Sequence, residues 1–373
     1  MTPFANLRLR ANPTYRAVAW NRLAAGAGRA PASEADSFGV LMPREGSPLP
    51  VVAIDRDTAL LFLSLQESGL APDFMFAMND GDCERVLRRL IFDSILELER
   101  AGEFVSGPEA CALLGIGAGA ANGGLAQLSV DALKYAAALT ELPAVALAQK
   151  LYNYNRRPRT SALRRRLPDR AACLGFLGIE RARGRLDRHW SYGDEGAPWL
   201  AFTRRQPQRP AAAAQPCKLY IGLTLEDLPE CLPAIAEELA GHAALQFKIG
   251  TDLDGLLRPD KLVAYFPGKD ALLAAARALL PTVAGRAVHA VPFSAEIADA
   301  GALSWGMDPA DAWFADRISW RQWICEKLAA AVIAARSGAV EAITPWQFAL
   351  ERLRLEGVDT DSFMPTGNWS GTA

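Results

Sequence analysis

The chain has 373 residues, of which 50% are hydrophobic and 22% charged, a composition that excludes an intrinsically disordered protein. Its 40 basic and 42 acidic side chains give a formal charge of −2, which excludes a protein that binds polyanions through its overall charge. Six scattered cysteines form no CxxC pairs, which argues against a zinc module or a disulfide scaffold and favours a reducing cytoplasm. At about 150 residues per domain, the length suggests two domains.

The first half of the chain predicts mainly helices. A strand is predicted at 51–54, and the spacing of apolar residues predicts helices at 57–66, 82–100, 130–142 and 143–154. The glycine-rich stretch 115–124 predicts a turn between helices rather than a dinucleotide-binding loop, because no strand precedes it. The uncharged stretch 110–130 is too rich in glycine and polar residues for a membrane span, and no apolar segment of signal-peptide type follows the arginines within residues 1–12.

Residues 206–216 (QPQRPAAAAQP) divide the chain. Three prolines and an alanine run without apolar periodicity predict a linker between a largely helical domain (1–205) and a second domain (217–373). After it, strands are predicted at 218–223, 245–249, 261–266, 288–293 and 302–305, and helices at 228–240, 270–280, 320–335 and 345–355. Strands and helices mixed in this order predict an α+β fold.

Arginine is concentrated before this linker. Residues 151–215 contain 14 arginines and no lysine, against five acidic residues. Arginine forks bind phosphate and carboxylate bidentately, so the segment could hold an acidic peptide, a phosphorylated substrate or RNA, or could be a solvated surface. Because no aromatic-interleaved motif accompanies the arginines, nucleic acid is the weakest of these interpretations. The candidate peptide-binding residues are Arg156, Arg157, Arg159, Arg164, Arg165 and Arg166.

Lysine is used sparingly and is concentrated elsewhere. The chain has 33 arginines and seven lysines, and four of the lysines fall within 218–269. Lysine, unlike arginine, can act as a base when burial or neighbouring cations favour its neutral form. Period-two alternation puts Lys218 and Tyr220 on one face of a strand, and Lys248 stands inside an apolar strand. Neighbouring strands would gather these groups into one cationic pocket; strand-end charges that reach solvent are the alternative.

The motifs after the linker resemble those of the phosphothreonine-lyase superfamily. These motifs are KLYIG (218–222), FKIG (247–250), RPDKLVAYF (258–266), HAVPFSAE (289–296) and SWGMDP (304–309). The similarity is greatest to the HopA-type effector family and to the related lyase components of lanthipeptide and thioamitide biosynthesis, pathways that modify ribosomally made peptides (RiPPs). It extends over roughly 215–310, a quarter of the chain, and implies a bacterial cytoplasmic protein.

This resemblance implies a β-elimination that needs neither metal nor cofactor. Lys248 matches the general base, which removes the α-proton of a phosphoserine or phosphothreonine and leaves dehydroalanine or dehydrobutyrine. Lys218 matches the lysine of the first strand, and Arg258 and Tyr265 match a pair that follows the base. All three are expected to bind the phosphate.

The remaining site residues are less closely matched. Lys261 and Arg321 are further candidate phosphate ligands, and Arg286 and Arg317 are chosen by location alone. Tyr220 stands where phosphothreonine lyases carry a histidine acid. Either Tyr220 or His289 is therefore expected to assist departure of the phosphate, with a purely structural histidine as the alternative for His289.

The resemblance also implies partners. Residues 1–205 lack a kinase glycine loop or HRD-type sequence, so a separate kinase is expected to phosphorylate the precursor peptide. The helical N-terminal part and its arginines would hold that peptide or the kinase, and no membrane partner is expected. Two other functions stay open: a non-catalytic effector or scaffold that binds a protein through the same fold, and an RNA-associated protein.

Overall fold

A computed structural model describes residues 3–23, 37–47, 49–77, 80–111, 113–114, 124–193, 199–205, 217–298, 301–307, 319–337 and 343–366. The strands are β1 (Leu9–Ala11), β2 (Tyr15–Ala19), β3 (Ser37–Pro43), β4 (Val52–Asp55), β5 (Leu96–Arg100), β6 (Glu103–Val105), β7 (Trp190–Gly193), β8 (Trp199–Arg204), β9 (Cys217–Ile221), β10 (Gln246–Gly250), β11 (Leu262–Phe266), β12 (Ala295–Ala298), β13 (Leu303–Met307), β14 (Val358–Asp359) and β15 (Met364–Pro365). The helices are α1 (Arg56–Ser64), α2 (Asp80–Phe92), α3 (Pro108–Cys111), α4 (Gly124–Ala138), α5 (Ala144–Tyr152), α6 (Ser161–Arg166), α7 (Arg170–Leu177), α8 (Ile179–His189), α9 (Leu228–Gly241), α10 (Leu253–Leu256), α11 (Lys269–Val283), α12 (Trp320–Ser337) and α13 (Pro345–Leu355).

A seven-stranded sheet is the largest element of the fold. Its order is β12-β13-β9-β11-β10-β8-β7, and every neighbouring pair is antiparallel. Strands β7 and β8 precede residues 206–216, where the linker was predicted, and the other five follow them. The sheet therefore contains strands from both sides of this segment, which itself lies outside the described residues.

The two faces of this sheet differ in chemistry. On one face Phe247 stacks on Phe202 with ring centroids 4.4 Å apart, and Trp190 meets Phe247 edge-on at 4.9 Å. These three side chains are fully buried, and α11 packs against β9 and β11. The opposite face carries Lys218, Tyr220 and other polar side chains, so the alternation of each strand separates an apolar core from a polar surface.

The N-terminal part contains strands as well as helices. Two three-stranded antiparallel sheets, β1-β5-β6 and β2-β3-β4, pack with α1 and α2. Further along the chain, α5 packs against α12, and α12 against α13. The prediction of an α+β fold is confirmed, although β1 to β8 all lie in the part that was predicted to be largely helical.

Two predicted elements are wrong. The helix predicted at 82–100 ends at Phe92, because Ser94 adopts a positive φ of 56° and Leu96 and Leu98 then alternate inward as β5. The strand predicted at 288–293 is a loop with a single bridge from Val288 to Leu223. Pro292 has no N–H to donate, and Phe293 has a φ of 59°, which a strand does not tolerate.

The other predicted helices and strands are present; the helix at 345–355 has the predicted bounds, and the rest have shifted ends. Of the glycine-rich stretch 115–124, only Gly124, the first residue of α4, lies within the described residues. In the described parts of the chain, no helix is both long enough and apolar enough to pass through a lipid bilayer.

The stacked aromatic core predicts a large stability loss on truncation. We expect Phe247→Ala to lower the free energy of unfolding by about 3–5 kcal/mol, because the lost ring leaves a cavity between Phe202 and Trp190. Urea denaturation followed by fluorescence measures the loss. The matched control is Phe74→Ala, at a side chain that is 36% exposed, and it should cost less than half as much. Equal losses for the two variants would contradict this account of the core.

Candidate active site

A cavity of about 240 Å³ lies on the polar face of the seven-stranded sheet, beneath α5 and the start of α12. We call it the cationic cavity. Five of the eight residues predicted to be catalytic or phosphate-binding line it, namely Lys218, Tyr220, Lys248, Arg258 and Tyr265. The other lining residues, which the sequence did not indicate, are Gln149, Tyr152, Trp199, Asp260, Val263, Ser319 and Gln322.

Strand register brings the predicted residues together. Lys218 lies opposite Tyr265, and Tyr220 lies opposite Val263, which in turn lies opposite Lys248 on β10. Side chains directly opposite each other on antiparallel strands are about 4.5–5.5 Å apart at Cβ. The four predicted residues on these strands therefore share one patch of the sheet face with Val263, and Arg258 reaches the cavity from the loop before β11. The order β9-β11-β10 could not be deduced from the sequence, but once it is formed the alternation fixes which side chains meet.

Aromatic rings lie between the cations. The Nζ atom of Lys248 is 4.7 Å from the ring centroid of Trp199 and 5.5 Å from that of Tyr265. Arg258 shares the Trp199 ring, with Cζ at 5.2 Å, and Lys218 shares the Tyr265 ring, with Nζ at 5.6 Å. These distances are in the range of cation–π contacts, in which the face of an aromatic ring attracts a positive charge. Lys248 is therefore the central cation, with Arg258 on one side and Lys218 on the other.

A buried carboxylate holds one edge of the cavity. Asp260 accepts hydrogen bonds from Arg258 at 2.8 and 2.9 Å and from Arg321 at 2.9 Å, and the Tyr152 hydroxyl lies 3.4 Å away. Burial alone would raise the pKa of Asp260, but the charges of Arg321 and Arg258 hold it well below its usual range. Asp260 is therefore an anion that fixes Arg258 in place.

Arg321 lies behind the cavity wall rather than in it. Its side chain is only 1% exposed, and its guanidinium donates to Asp260, to the Pro292 carbonyl at 2.9 Å and to the Tyr152 carbonyl at 3.1 Å. The predicted contact with phosphate does not fit this position, because the donors of Arg321 are directed at protein acceptors. It supports Tyr152 and Asp260 instead.

Lys261 and His289 are not among the residues that line the cavity, so its geometry supports neither the phosphate contact predicted for Lys261 nor the role as acid predicted for His289. Lys261 is fully buried and its Nζ donates to the Leu223 carbonyl at 2.8 Å; burial lowers the pKa of Lys261 to about 7. His289 Nε2 is 2.5 Å from the Asn155 carbonyl oxygen. Burial, with the charge of Lys261, lowers the pKa of His289 to about 4, so its imidazole is neutral at neutral pH.

The six predicted peptide-binding arginines fall into two groups. Arg156 and Arg159 form ion pairs with Asp254, and Arg157 pairs with Glu226 at 2.6 Å. Arg164, Arg165 and Arg166 are exposed in the last turn of α6. A role of these arginines in binding peptide stays a prediction.

Two further candidates were chosen by location alone. Arg286 pairs with Asp227 at 3.3 Å and with Glu230 at 2.6 Å, on the outside of α9, and Arg317 lies outside the described residues. Within the described ranges, no three His, Cys, Asp or Glu side chains come together as a candidate metal site.

The ion pairs of Asp260 predict how stability depends on pH. We expect Asp260→Asn to lower the free energy of unfolding by about 3–5 kcal/mol at pH 7, because buried Arg321 loses its counter-ion. The folded-state pKa of Asp260 is depressed, so its stabilisation is complete above the unfolded pKa of about 3.9 and is lost as pH falls below it. The difference between variant and wild type should therefore shrink below about pH 4.

Urea unfolding at a series of pH values measures this difference. The exposed Asp73→Asn serves as the matched control, expected to stay within about 0.5 kcal/mol of wild type throughout. A pH-independent difference for Asp260→Asn would show that the carboxylate charge is not what stabilises the fold.

Neither a family model nor a curated protein matches the chain. Solved structures do resemble it. An effector protein from Pseudomonas syringae pv. tomato strain DC3000 has a TM-score of 0.43 and 12% sequence identity, and the similarity covers 64% of this chain and 97% of that one. An effector from Pseudomonas syringae pv. syringae strain 61 has a TM-score of 0.41 and 13% sequence identity, and the similarity covers 65% of this chain and 98% of that one.

A phosphothreonine lyase is also among these structures. The Chromobacterium violaceum VirA (SpvC) phosphothreonine lyase effector has a TM-score of 0.26 and 13% identity, and the similarity covers 35% of this chain and 70% of that one. All three of these structures are effector proteins. The function proposed for this chain rests on the geometry of the cationic cavity.

Proposed function

We propose that this chain is a lyase that eliminates phosphate from phosphoserine or phosphothreonine in a peptide. The observation that carries the proposal is the convergence of Lys218, Lys248 and Arg258 on one cavity, together with the phenol groups of Tyr220 and Tyr265. A base and an anion site side by side are what β-elimination of a phosphate requires, because one group must accept a proton while others stabilise the departing anion.

The cations of the cavity suit a phosphate monoester. Such a group carries a charge of about −1.5 to −2 and three strong acceptor oxygens at neutral pH. Arg258 donates through Nε and Nη2 to Asp260 and through Nη2 to the Tyr152 hydroxyl, which orients the guanidinium. Among the residues that the structure describes, no acceptor is seen for Nη1, so Nη1 can donate to a ligand. Lys218, across the Tyr265 ring from Lys248, supplies a second positive charge for the phosphate.

Lys248 is the proposed base because it is central. In its neutral form it accepts the α-proton of the phosphorylated residue. The electron pair of the Cα–H bond forms the Cα=Cβ bond, and the Cβ–O bond breaks with its electrons leaving on phosphate. The products are inorganic phosphate and dehydroalanine or dehydrobutyrine, with the proton on Lys248.

Tyr220 is the proposed acid. Its side chain is 4% exposed and lines the cavity two residues along β9 from Lys218, so phosphate bound by Lys218 lies within reach of its hydroxyl. The hydroxyl donates a proton or a strong hydrogen bond to the phosphate as the Cβ–O bond breaks. His289, the other predicted acid, is neutral and outside the cavity, and receives no role in this proposal.

We further propose that the substrate is a cytoplasmic precursor peptide, phosphorylated by a separate kinase and modified by this chain without metal or cofactor. The support is sequence-based: residues 1–205 contain no kinase motif, and the motifs after residue 217 resemble lyase components of such systems. The second candidate function is a non-catalytic effector or scaffold that binds a phosphorylated protein. The observation that favours it is Tyr220, where related lyases carry histidine.

Loss of the base predicts loss of activity. We expect Lys248→Ala to lower the rate of phosphate elimination from a phosphoserine peptide by about 10²–10⁴-fold while leaving the urea midpoint close to that of wild type. Mass spectrometry detects the reaction as loss of one H₃PO₄ from the peptide. Lys150→Ala, an exposed lysine of α5 outside the cavity, is the matched control and should react like wild type. Full activity in folded Lys248→Ala would refute the assignment, and wild-type binding without elimination would favour the scaffold.

Loss of the acid should affect turnover more than binding. We expect Tyr220→Phe, which removes only the hydroxyl, to lower kcat by about 10²-fold with KM nearly unchanged. The control Tyr135→Phe removes the hydroxyl of a tyrosine that is 43% exposed, and both constants should stay at their wild-type values. A rise in KM with kcat unchanged would mean that Tyr220 binds phosphate and does not protonate it.

A further inference from the structure

A second cavity adjoins the cationic cavity. It has a volume of about 250 Å³ and lies between α5 and α12. Gln149, Tyr152 and Gln322 belong to the walls of both cavities. We call this second cavity the apolar groove. Because three side chains line both cavities, the two cavities are adjacent.

The chemistry of the apolar groove differs from that of the cationic cavity. Ala144, Val145 and Ala148 form its α5 side, and Val145 is 77% exposed, the highest exposure among the large hydrophobic side chains of the described residues. Cys325 contributes from α12, and burial raises its pKa to about 12, so it is an uncharged thiol at neutral pH. An exposed apolar surface of this kind gains free energy when another apolar group covers it.

A carboxylate stands at the rim of the groove. Glu326 is exposed on α12 and accepts a hydrogen bond at 2.9 Å from Gln322, a side chain common to both cavities. The groove thus presents a negative charge, whereas the cationic cavity presents Lys218, Lys248 and Arg258. Phosphate is directed to the cationic cavity, and an acidic side chain is disfavoured in the groove.

An extended substrate peptide is long enough to occupy both cavities. A peptide extends by at most about 3.3–3.6 Å per residue, and Gln149, Tyr152 and Gln322 line both cavities. With a phosphorylated residue in the cationic cavity, a residue one to three positions away reaches the groove.

We propose that the apolar groove is a specificity subsite, which binds a leucine-, methionine- or phenylalanine-sized side chain of the substrate peptide within three residues of the phosphorylated one. The identification of the occupant as a peptide rests on the proposed lyase function. The position next to the cationic cavity, the apolar α5 wall and the charge of Glu326 together select this occupant.

A peptide series tests the subsite. Each peptide carries one phosphoserine in a glycine background, with a single leucine, glycine or aspartate at each position from three before to three after it. We expect leucine at one position to raise kcat/KM about tenfold over glycine, and aspartate at that position to lower it below glycine. Binding of the same peptides, measured by fluorescence anisotropy, should show the same order.

Variants assign the preference to the groove. Ala148→Leu fills the groove from α5 and should bring the leucine-to-glycine ratio close to one; Ala144→Leu, at a less buried position, tests the same point if Ala148→Leu folds poorly. Glu326→Gln should raise kcat/KM for the aspartate peptide toward the value for the glycine peptide. Lys150→Ala, on α5 outside the groove, is the control, and its leucine-to-glycine and aspartate-to-glycine ratios of kcat/KM should equal those of wild type.

The outcomes separate this proposal from the proposed function. Elimination from the glycine peptide with no preference at any position would overturn the subsite and leave the lyase assignment standing. Tighter binding of leucine peptides without any elimination would support the subsite and overturn the lyase. A leucine preference that persists in both groove-filling variants would place the subsite elsewhere and refute the proposal.

Discussion

One buried carboxylate organises the site. Asp260 lies in the loop before β11, yet it contacts Arg258 in its own loop, Arg321 on α12 and Tyr152 on α5. Burying the guanidinium group of Arg321 is unfavourable unless a counter-ion and carbonyl acceptors satisfy it, and Asp260 provides the charge that makes this burial possible. The sheet, the loop and both helices are therefore fixed relative to one another at a single point, and the cavity walls depend on it.

Part of the site was predictable because strand geometry is local. The alternation that puts Lys218 and Tyr220 on one face needs only the period of a β-strand, and the observed register opposite Tyr265 and Val263 agrees with it. The partners of Asp260 were not predictable in this way. Tyr152 and Arg321 are 108 and 61 residues away along the chain, and only tertiary packing brings them together.

Lys261 shows where residue counting and strand parity fail. It belongs to the same cluster of lysines as Lys248, and alternation from Val263 would place it on the cavity face. Lys261 stands before the first residue of β11, however, where the alternation does not yet apply, and its ammonium turns to the Leu223 carbonyl instead. Residue type drew attention to these lysines, but the exact start of a strand decided which of them faces the cavity. The misplaced end of α2 has a similar origin, because Ser94 interrupts an apolar pattern that otherwise continues.

The path of the chain through the seven-stranded sheet has a practical consequence. Lys248 lies on β10, and its neighbours are β11 on one side and β8, from before residues 206–216, on the other. A polypeptide cut between β8 and β9 would yield one fragment with the hairpin β7-β8 and another whose β10 edge lacks its hydrogen-bonding neighbour. Each fragment would lack a strand that the other supplies, so the two are expected to fold together better than apart. The junction is therefore a suitable split site for a fragment-complementation reporter.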